Sequence, residues 1–455
     1  MESRKTDVLI YGAGLTGLTL AYYFKKQGKK VIIIEKASST GGVINTITEN
    51  GFTFETGPST GVLSSPELAM LFEDLSDNCT LETAGKGSKK RYILKNSKWE
   101  ALPSGPVSAV TTPLFTMGDK FRILGEPFRK PGTDPDETLS SLVKRRLGQS
   151  FLDYAIDPFI SGVYAGDPDR IIPRYALPKL YALEQKYGSF IKGAIKKAKE
   201  PKTELQKKAS GEVFSAKGGL KSLISALTSR IGNESIILNV SRSQAEPSGR
   251  GFSVRLAGEG IPDTILSADY VISTFGGESL KSIFPFIPEN LLAPVLNLKY
   301  AAVVQVAAGY FHWKGMKLDA FGGLIPTKEN KDLLGILFPS AIFEGRAPEG
   351  GALLSAFLGG IKKPQMINAS DDEIKSIVLK SISETLHENT GPDLLRIFRY
   401  PRAIPQYDIS TGERLARITE LEEKYPGLIL AGNIRDGIGM SDRVKQASAI
   451  KDLIR

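Results

Sequence analysis

The chain has 455 residues, of which 41% are hydrophobic and 24% charged, a length typical of about three domains with a substantial buried core. Its single cysteine, Cys79, excludes an intrachain disulfide, and its two histidines, His312 and His387, are too few and too separated for a typical zinc site. The net charge of +9 indicates an anionic partner, which could be a nucleic acid, a membrane surface or an acidic small molecule.

The chain shows no pattern typical of targeting or membrane insertion. Its first apolar stretch belongs to a nucleotide-binding pattern rather than a signal peptide, and no apolar run reaches the roughly 18 residues that span a bilayer. A lone cysteine suggests a reducing compartment. We therefore predict a cytoplasmic protein, with peripheral contact to the cytoplasmic membrane left open.

The first predicted elements are a strand at residues 8–11 and a helix through Ala21 and Phe24, joined by a G-x-G-x-x-G turn. Gly12 allows the tight turn, Gly14 lets the backbone approach a pyrophosphate, and Gly17 lets helix and strand pack closely. The helix N-terminus then offers free N–H groups to the phosphates. This context predicts a dinucleotide-binding fold.

The second predicted strand, residues 31–34, ends at Glu35, where a carboxylate can accept hydrogen bonds from a ribose. A glycine pair, Gly41 and Gly42, follows. This stretch resembles the extended signature of the FAD-dependent amine oxidase and desaturase superfamily, which favours FAD over NAD. In that superfamily, the segment matching residues 51–60 runs past the flavin.

Three separated segments carry nucleotide-fold features, which indicates a discontinuous domain. The second has predicted strands at 236–240, 252–256 and 270–273, and the third has a strand at 428–431 before the turn GIGMSD. We predict an α/β fold with α+β insertions, divided into FAD-binding segments 1–94, 205–289 and 397–455, a mostly helical insertion at 95–204 that could contact a membrane, and a strand-rich substrate domain at 290–396 with strands near 303–310, 335–338 and 352–357.

The insertion contains a lysine-rich amphipathic helix. Ile191, Ala194, Ile195 and Ala198 follow helical spacing and are flanked by lysines. The favoured interpretation is a solvated helix that packs this narrow stripe on its own domain. The alternative is a helix that approaches anionic lipid.

No second G-x-G-x-x-G module offers an NADPH domain. The simplest chemistry is then a flavin that takes hydride from the substrate and passes electrons to oxygen or another acceptor. Because the cofactor carries the difficult step, no catalytic side chain is predicted. No metal and no nucleic-acid partner are predicted either.

The segment GVYAGDP, which by itself reads only as a glycine-rich turn after a helix, closely resembles a signature of the protoporphyrinogen/coproporphyrinogen oxidase family. Further matches keep the family's order along nearly the whole chain: GPST, RYILKNSKWEALP, LEQKYGSFIKG, AKGGLKSL, FGGLIPTKE, LGILFPSAIFEGRAP, IPQY and GIGMSD.

The resemblance implies FAD-binding positions, among them Val240, at the end of a predicted strand, whose backbone would meet the adenine. The others are Gly12, Ala13, Gly14, Leu15, Thr16, Gly17, Glu35, Lys36, Gly42, Gly57, Pro58, Ser59, Thr60, Ile438, Gly439 and Met440.

The resemblance also implies substrate positions. Arg91 matches an arginine that holds a propionate of the tetrapyrrole, and Gly162 a glycine of the active-site turn. Leu324, Leu337 and Phe357 match apolar side chains that contact its flat rings. The alternative for Arg91 is a solvated strand charge, and without the resemblance the three apolar residues read as core residues.

The implied activity is the oxidation of protoporphyrinogen IX to protoporphyrin IX in haem biosynthesis, with oxygen as electron acceptor. Coproporphyrinogen III is the alternative substrate, and another flavin amine oxidase, a carotenoid desaturase or a non-catalytic FAD-binding protein are the rivals. Two positions depart from the expected pattern: Ser59 stands where some family members have arginine, and Val43 where the superfamily often has a basic residue.

Overall fold

The computed structural model describes residues 4–454, apart from the side chains at positions 4, 86 and 106. The predicted segments at the two termini therefore extend outside the described residues, at 1–3 and 455. The strands are β1 Arg4–Tyr11, β2 Val31–Ile34, β3 Thr46–Glu49, β4 Phe52–Glu55, β5 Gly61–Val62, β6 Leu81–Thr83, β7 Tyr92–Lys95, β8 Lys98–Ala101, β9 Val213–Ala216, β10 Ile236–Ile237, β11 Val240–Ser248, β12 Gly251–Gly258, β13 Ile261–Ser273, β14 Tyr300–Tyr310, β15 Gly322–Leu324, β16 Leu333–Leu337, β17 Ala352–Gly359, β18 Leu394–Pro405 and β19 Leu428–Leu430.

The α-helices fall mainly between the sheets' strands and in the insertion. They are α1 Leu15–Lys26, α2 Pro66–Asp74, α3 Pro106–Thr111, α4 Met117–Leu124, α5 Leu139–Arg146, α6 Gln149–Phe151, α7 Asp157–Tyr164, α8 Pro173–Ala176, α9 Pro178–Tyr187, α10 Phe190–Lys199, α11 Glu204–Lys207, α12 Lys221–Ile231, α13 Leu280–Ile283, α14 Glu289–Leu296, α15 Pro339–Ile342, α16 Asp371–Leu386, α17 Thr411–Lys424 and α18 Met440–Leu453.

The first sheet is built from all three predicted nucleotide-fold segments. Its order is β10-β2-β1-β13-β12-β11, with β19 also paired to β13. β1 runs parallel to β2 and β13, while β11, β12 and β13 form an antiparallel meander. Apolar side chains of α1 and α18 cover one face and those of α14 and α17 the other, so both faces are buried as a parallel sheet requires. The predicted α/β class with a discontinuous nucleotide-binding fold is confirmed.

The second sheet has the order β18-β14-β17-β16-β15-β7-β8. One face packs on α16 through Ile374, Val378 and Ile382. The predicted segment boundaries do not follow this sheet: the boundary at 94/95 falls inside β7, and the one at 396/397 falls inside β18. The β7–β8 pairing is a tight hairpin that joins the sheet through β15, a contact that sequence order does not reveal.

The helical insertion is organised around a buried ion cluster. The Arg146 side chain, which is fully buried, has its Nε 2.7 Å from Oε1 of Glu184 and 3.4 Å from Oε1 of Glu126. Glu126 accepts hydrogen bonds from the Ser189 hydroxyl at 2.5 Å and the Phe190 N–H at 3.0 Å, where α10 begins. Buried charges are tolerated when they are paired and hydrogen-bonded in this way.

The predicted packing of the α10 stripe is wrong. Ala194, Ile195 and Ala198 are exposed, and the buried residues of the helix are Phe190 and Gly193. The reason is that the buried carboxylate of Glu126 fixes the N-terminus of α10, so the helix is anchored there rather than along its stripe. Within residues 4–454, no helix combines the length and apolarity needed to cross a membrane.

Candidate active site

The turn after β1 forms an open cradle. At Gly12 (φ +103°) a Cβ would lie 2.5 Å from Thr274 Oγ1, and at Gly17 it would lie 1.9 Å from the Gly12 carbonyl oxygen, so both positions require glycine. A Cβ at Gly14 would meet nothing within 4 Å. The empty space therefore lies at the N-terminus of α1, where Leu15, Thr16 and Gly17 form the first turn and the first N–H groups have no intrahelical partners. This is the shape and polarity that a pyrophosphate requires.

Glu35 closes one side of the cradle. Its buried carboxylate accepts hydrogen bonds from the Ala13 N–H at 2.7 Å and the Ala37 N–H at 2.8 Å. A carboxylate has about four acceptor sites, so it can still receive ribose hydroxyls. The neighbouring Lys36 is exposed.

Val240 lies beside Glu35 but begins a strand, so the prediction that it ends one is wrong. The predicted strand breaks at Asn239, which has a φ of +60°. The break lets the Val240 N–H donate to the Glu35 carbonyl at 3.0 Å. Asn is one of the few residues that adopt this left-handed conformation at small cost.

Most of the remaining predicted cofactor positions adjoin this cradle, and we call the cradle together with these positions the dinucleotide groove. The Gly41 N–H donates to the Ala13 carbonyl at 2.8 Å, and a Cβ at the neighbouring Gly42 would lie 3.5 Å from Gly14 Cα. A Cβ at Gly57 would lie only 2.0 Å from the Val43 carbonyl oxygen, which brings the segment of Gly57, Pro58, Ser59 and Thr60 against the glycine pair.

The groove ends at the C-terminal turn. A Cβ at Gly61 would lie 2.6 Å from Met440 Cε, and the Ser441 hydroxyl donates to the Val62 carbonyl at 2.5 Å. Gly439 donates its N–H to Asp442 at 2.9 Å, and Ile438 packs on the cluster that includes Tyr164 and Tyr407. Contacts thus link the turn after β1, through Glu35 and the glycine pair, to the turn before α18.

One face of the second sheet carries the predicted apolar positions. Phe357 pairs with Gly335, which pairs with Leu324, while Leu337 lies two residues along β16 from Gly335. Directly paired residues, and residues two apart, share a face of a sheet. All three apolar side chains are only partly buried, so they remain available to a ligand.

Arg91 immediately precedes β7 and is exposed. Its guanidinium stacks on Phe321, with the central carbon 5.6 Å from the ring centroid. Its neighbours Lys90 and Tyr92 both bond Asp319, and the hydrogen bond from Lys90 lowers the pKa of that carboxyl. Because successive side chains of a strand point to opposite faces, Arg91 lies on the same face of the sheet as Ile93. Ile93 pairs with Leu324 on β15.

Gly162 lies in the last turn of α7, so the prediction that it forms part of a turn after the helix is wrong. The chain leaves the helix at Ala165, which is left-handed with a φ of +46°. A Cβ at Gly162 would lie 2.4 Å from Leu324 Cδ2, and this contact explains a glycine inside a helix. Gln406 stabilises the end of α7, because its side-chain amide donates a hydrogen bond to the Tyr164 carbonyl at 2.9 Å.

The connection between the second sheet and the separate β3–β4 hairpin, which leads into Gly57, was missed by the sequence prediction. Gln305, which is 1% exposed on β14, donates to the Glu55 carbonyl at 3.0 Å and pairs with Phe357 across the sheet. The only sequence signal is a lone amide inside the apolar run AAVVQVAAGY. Glu55 itself is buried, which raises the pKa of its carboxyl, and its Oε1 lies 3.4 Å from Nη1 of the buried Arg346. The groove and the apolar face are thereby fixed next to each other.

The sequence matches the family described as "Flavin containing amine oxidoreductase" over residues 15–439. Among curated relatives, Protoporphyrinogen oxidase 2 of Arabidopsis thaliana is 28% identical over 98% of this chain and 93% of its own length. Coproporphyrinogen III oxidase of Bacillus subtilis is 26% identical over 99% of this chain and 98% of its own length.

Solved structures share the fold. The Exiguobacterium protein named "Putative protoporphyrinogen oxidase" superposes with a TM-score of 0.81 at 23% identity, over 100% of this chain and 99% of that one. Reduced UDP-galactopyranose mutase superposes with a TM-score of 0.74 at 15% identity, over 98% of this chain and 93% of that one. At these identities the likeness concerns the fold alone.

Proposed function

This chain belongs to the flavin containing amine oxidoreductase family, and we propose that it is an FAD-dependent oxidase that converts protoporphyrinogen IX to protoporphyrin IX in haem biosynthesis. The relatives named as protoporphyrinogen and coproporphyrinogen oxidases match this chain over 97–100% of its length, which supports the proposal. The five predicted segments and the individual cofactor positions are part of the same proposal.

The observation that carries the proposal is the apolar face of the second sheet, which ends in a cation and adjoins the dinucleotide groove. Leu324, Leu337 and Phe357 offer a flat apolar surface, and Arg91 stands at its border. A porphyrinogen is a broad, largely apolar ring system with carboxylate arms. The apolar face complements the ring system, and the Arg91 guanidinium complements the carboxylate arms.

Each group on this face has a defined task. The apolar side chains bind the ring system by removing its faces from water, at about 25 cal/mol per Å² before binding costs. Arg91 orients the ring by bonding a propionate, at about 1.5–3 kcal/mol for a charge-assisted bond. Gly162 leaves room beside Leu324, and Gln305 holds the apolar face against the loop that contains Glu55.

Bound FAD supplies the hydride acceptor, and three successive two-electron oxidations consume three molecules of oxygen and release three of peroxide. Conjugation spreads through the ring system as the oxidations proceed and the final product is aromatic, so the protein needs no strong base. The chain's own residues bind and orient the substrate.

Coproporphyrinogen III is the second candidate substrate, and the similarity to the Bacillus subtilis enzyme favours it. It carries four propionates where protoporphyrinogen carries two. The two candidates therefore differ in the number of cationic contacts that they require.

We also propose peripheral contact with a membrane through the helical insertion. Its surface exposes large apolar side chains: Val107 (79%), Val110 (66%), Met117 (57%), Phe121 (65%), Leu124 (71%) and Phe128 (84%). Lys192 of α10 lies over the Phe128 ring at 5.3 Å, which joins the lysine-rich helix to this patch. An apolar patch beside cations is typical of surfaces that bind anionic lipid.

An anaerobic titration tests the activity. The FAD-loaded protein is mixed with protoporphyrinogen IX in the absence of oxygen, and flavin absorbance is followed. We expect bleaching by porphyrinogen and none by benzylamine or putrescine. Bleaching by an amine alone would instead identify an amine oxidase, and bleaching by neither would remove the proposed activity.

A further inference from the structure

A buried arginine, Arg443, stabilises the turn that leads into α18. Arg443, in the first turn of α18, is 8% exposed. Its Nη2 donates to three successive carbonyl oxygens, those of Arg435, Asp436 and Gly437, each at 2.9 Å. One guanidinium nitrogen thus bonds three consecutive residues of the backbone immediately before the proposed flavin contacts at Ile438–Met440.

Gln446, one helical turn later in α18, stabilises the other end of the same segment through hydrogen bonds. Its Oε1 accepts the Gly432 N–H at 2.8 Å, and its Nε2 donates to Asp436 Oδ2 at 2.9 Å. Arg443 Nη1 also donates to Gln446 Oε1 at 3.3 Å. The two side chains therefore act as one unit on residues 432–437.

Three residues of this segment have a left-handed backbone. Gly432 and Gly437 have φ values of +86° and +91°, and Asp436, which has a side chain, has +61°. Glycine adopts this conformation readily and aspartate at small cost, so hydrogen bonds such as those from Arg443 and Gln446, rather than local sterics, hold the turn in one conformation.

Arg443 also places a charge at this point. Burial lowers the pKa of its guanidinium, yet arginine remains protonated in proteins. Its hydrogen bonds go to neutral groups, and among residues 4–454 no carboxylate oxygen lies within 4 Å of it. Asp442 and Asp436 act on this charge electrostatically without a direct ion pair. A buried positive charge of this kind acts on its surroundings more strongly than an exposed one.

We propose that Arg443 is a positioning residue for the flavin: it holds the turn at residues 432–439 in its binding conformation, and its charge favours the reduced cofactor, which carries more negative charge than the oxidised one. The inference rests on the flavin-binding part of the proposed function and makes no use of the porphyrinogen.

The test compares Arg443→Gln, Arg443→Lys and Gln446→Leu in the full chain, without porphyrinogen. We measure the FAD dissociation constant, the midpoint potential of bound FAD and the thermal stability of the apoprotein. All three variants are expected to weaken FAD binding about tenfold. Only Arg443→Gln is expected to lower the potential, by about 30 mV, which for two electrons is a tenfold loss of preference for the reduced form.

Arg146→Lys is the matched control, since Arg146 is another buried arginine that donates to carbonyls, among them Arg129 O at 2.9 Å, but it lies in the helical insertion. It should lower thermal stability and leave FAD affinity and potential unchanged.

Variants at 443 and 446 that behave like this control would overturn the proposal, because their role would then be merely structural. If Arg443→Gln does not fold, unchanged FAD affinity in Arg443→Lys and Gln446→Leu would also overturn it. No outcome depends on the substrate, so failure of the proposed oxidase activity would be seen separately.

Discussion

Gly14 is the residue whose missing side chain leaves the cradle open. Its φ of −76° is accessible to any residue, and a Cβ there meets no protein atom within 4 Å. Gly14→Ala should therefore fold as well as the parent but place a methyl group in the space for the pyrophosphate. We expect the FAD dissociation constant to rise at least tenfold, with an unchanged melting temperature of the apoprotein.

Gly105→Ala is the matched control for this substitution. Gly105 also has an extended backbone (φ −166°) and open space where the added methyl group would lie, but it precedes α3 in the helical insertion. It should change neither property. Unweakened FAD binding in Gly14→Ala would show that the cofactor does not occupy the cradle.

Arg91 is predicted to act on substrate affinity rather than on the flavin. Removing its guanidinium in Arg91→Ala should lower kcat/KM for the porphyrinogen about 10- to 100-fold, the equivalent of one charge-assisted bond, chiefly through KM. The FAD dissociation constant should not change. Lys98→Ala, which removes an exposed cation from the adjacent β8, is the control. Equal, small effects of the two variants would make Arg91 a solvated strand charge.

Several of the residues that matter most could not be predicted from sequence. The glycine spacing revealed Gly12, Gly14 and Gly17 because the turn and its helix are local. Gln305 and Arg443 act through partners distant in sequence or through a backbone turn, so no spacing marks them.

The contact between α7 and β15 is the element-scale feature that shapes the proposed substrate site. Gly162→Ala would drive a methyl group into Leu324, at a cost of about 1–3 kcal/mol for overpacking. We expect lower thermal stability and a lower kcat/KM. The double variant Gly162→Ala/Leu324→Ala should recover stability relative to the sum of the two single effects, because the clash is gone. Additive effects, measured by chemical denaturation, would place the consequences of Gly162 elsewhere.

Elements with strong periodicity could be predicted, and those set by tertiary contacts could not. The residues of β2 were predicted correctly, since a short run of β-branched residues ends in Glu35. The break at Asn239 and the helical position of Gly162 were missed, because a backbone bond to Glu35 and the packing of Leu324 decide them. The exposure of the α10 stripe likewise follows from the buried Glu126, which periodicity does not report.

At the scale of the whole molecule, the helical insertion is distinguished by its exposed apolar patch. Protein that carries both Phe121→Ser and Phe128→Ser should bind anionic phospholipid vesicles at low salt at least tenfold more weakly than the parent, since each buried Phe contributes about 1.5–3 kcal/mol. Ile409→Ser, which alters a side chain 61% exposed outside the insertion, should leave vesicle binding unchanged. Co-sedimentation measures both. A parent protein that does not sediment with vesicles would contradict the membrane contact.

The whole-molecule arrangement was predictable in its main parts. Three separated segments do build one nucleotide-binding sheet, because each contributes a strand next to β1 or β13. The junction with the second sheet could not be predicted. The β7–β8 hairpin and Gln305 make contacts between regions that are far apart in sequence.

The central claim is that this flavoprotein oxidises a porphyrinogen. The most direct measurement is porphyrin fluorescence under air, with FAD-loaded protein given protoporphyrinogen IX or coproporphyrinogen III in parallel and kcat/KM compared. We predict porphyrin formation with three molecules of peroxide per porphyrin and a higher kcat/KM for protoporphyrinogen. A higher value for coproporphyrinogen would reassign the substrate within the same chemistry. Turnover of neither substrate by protein that retains FAD would contradict the account.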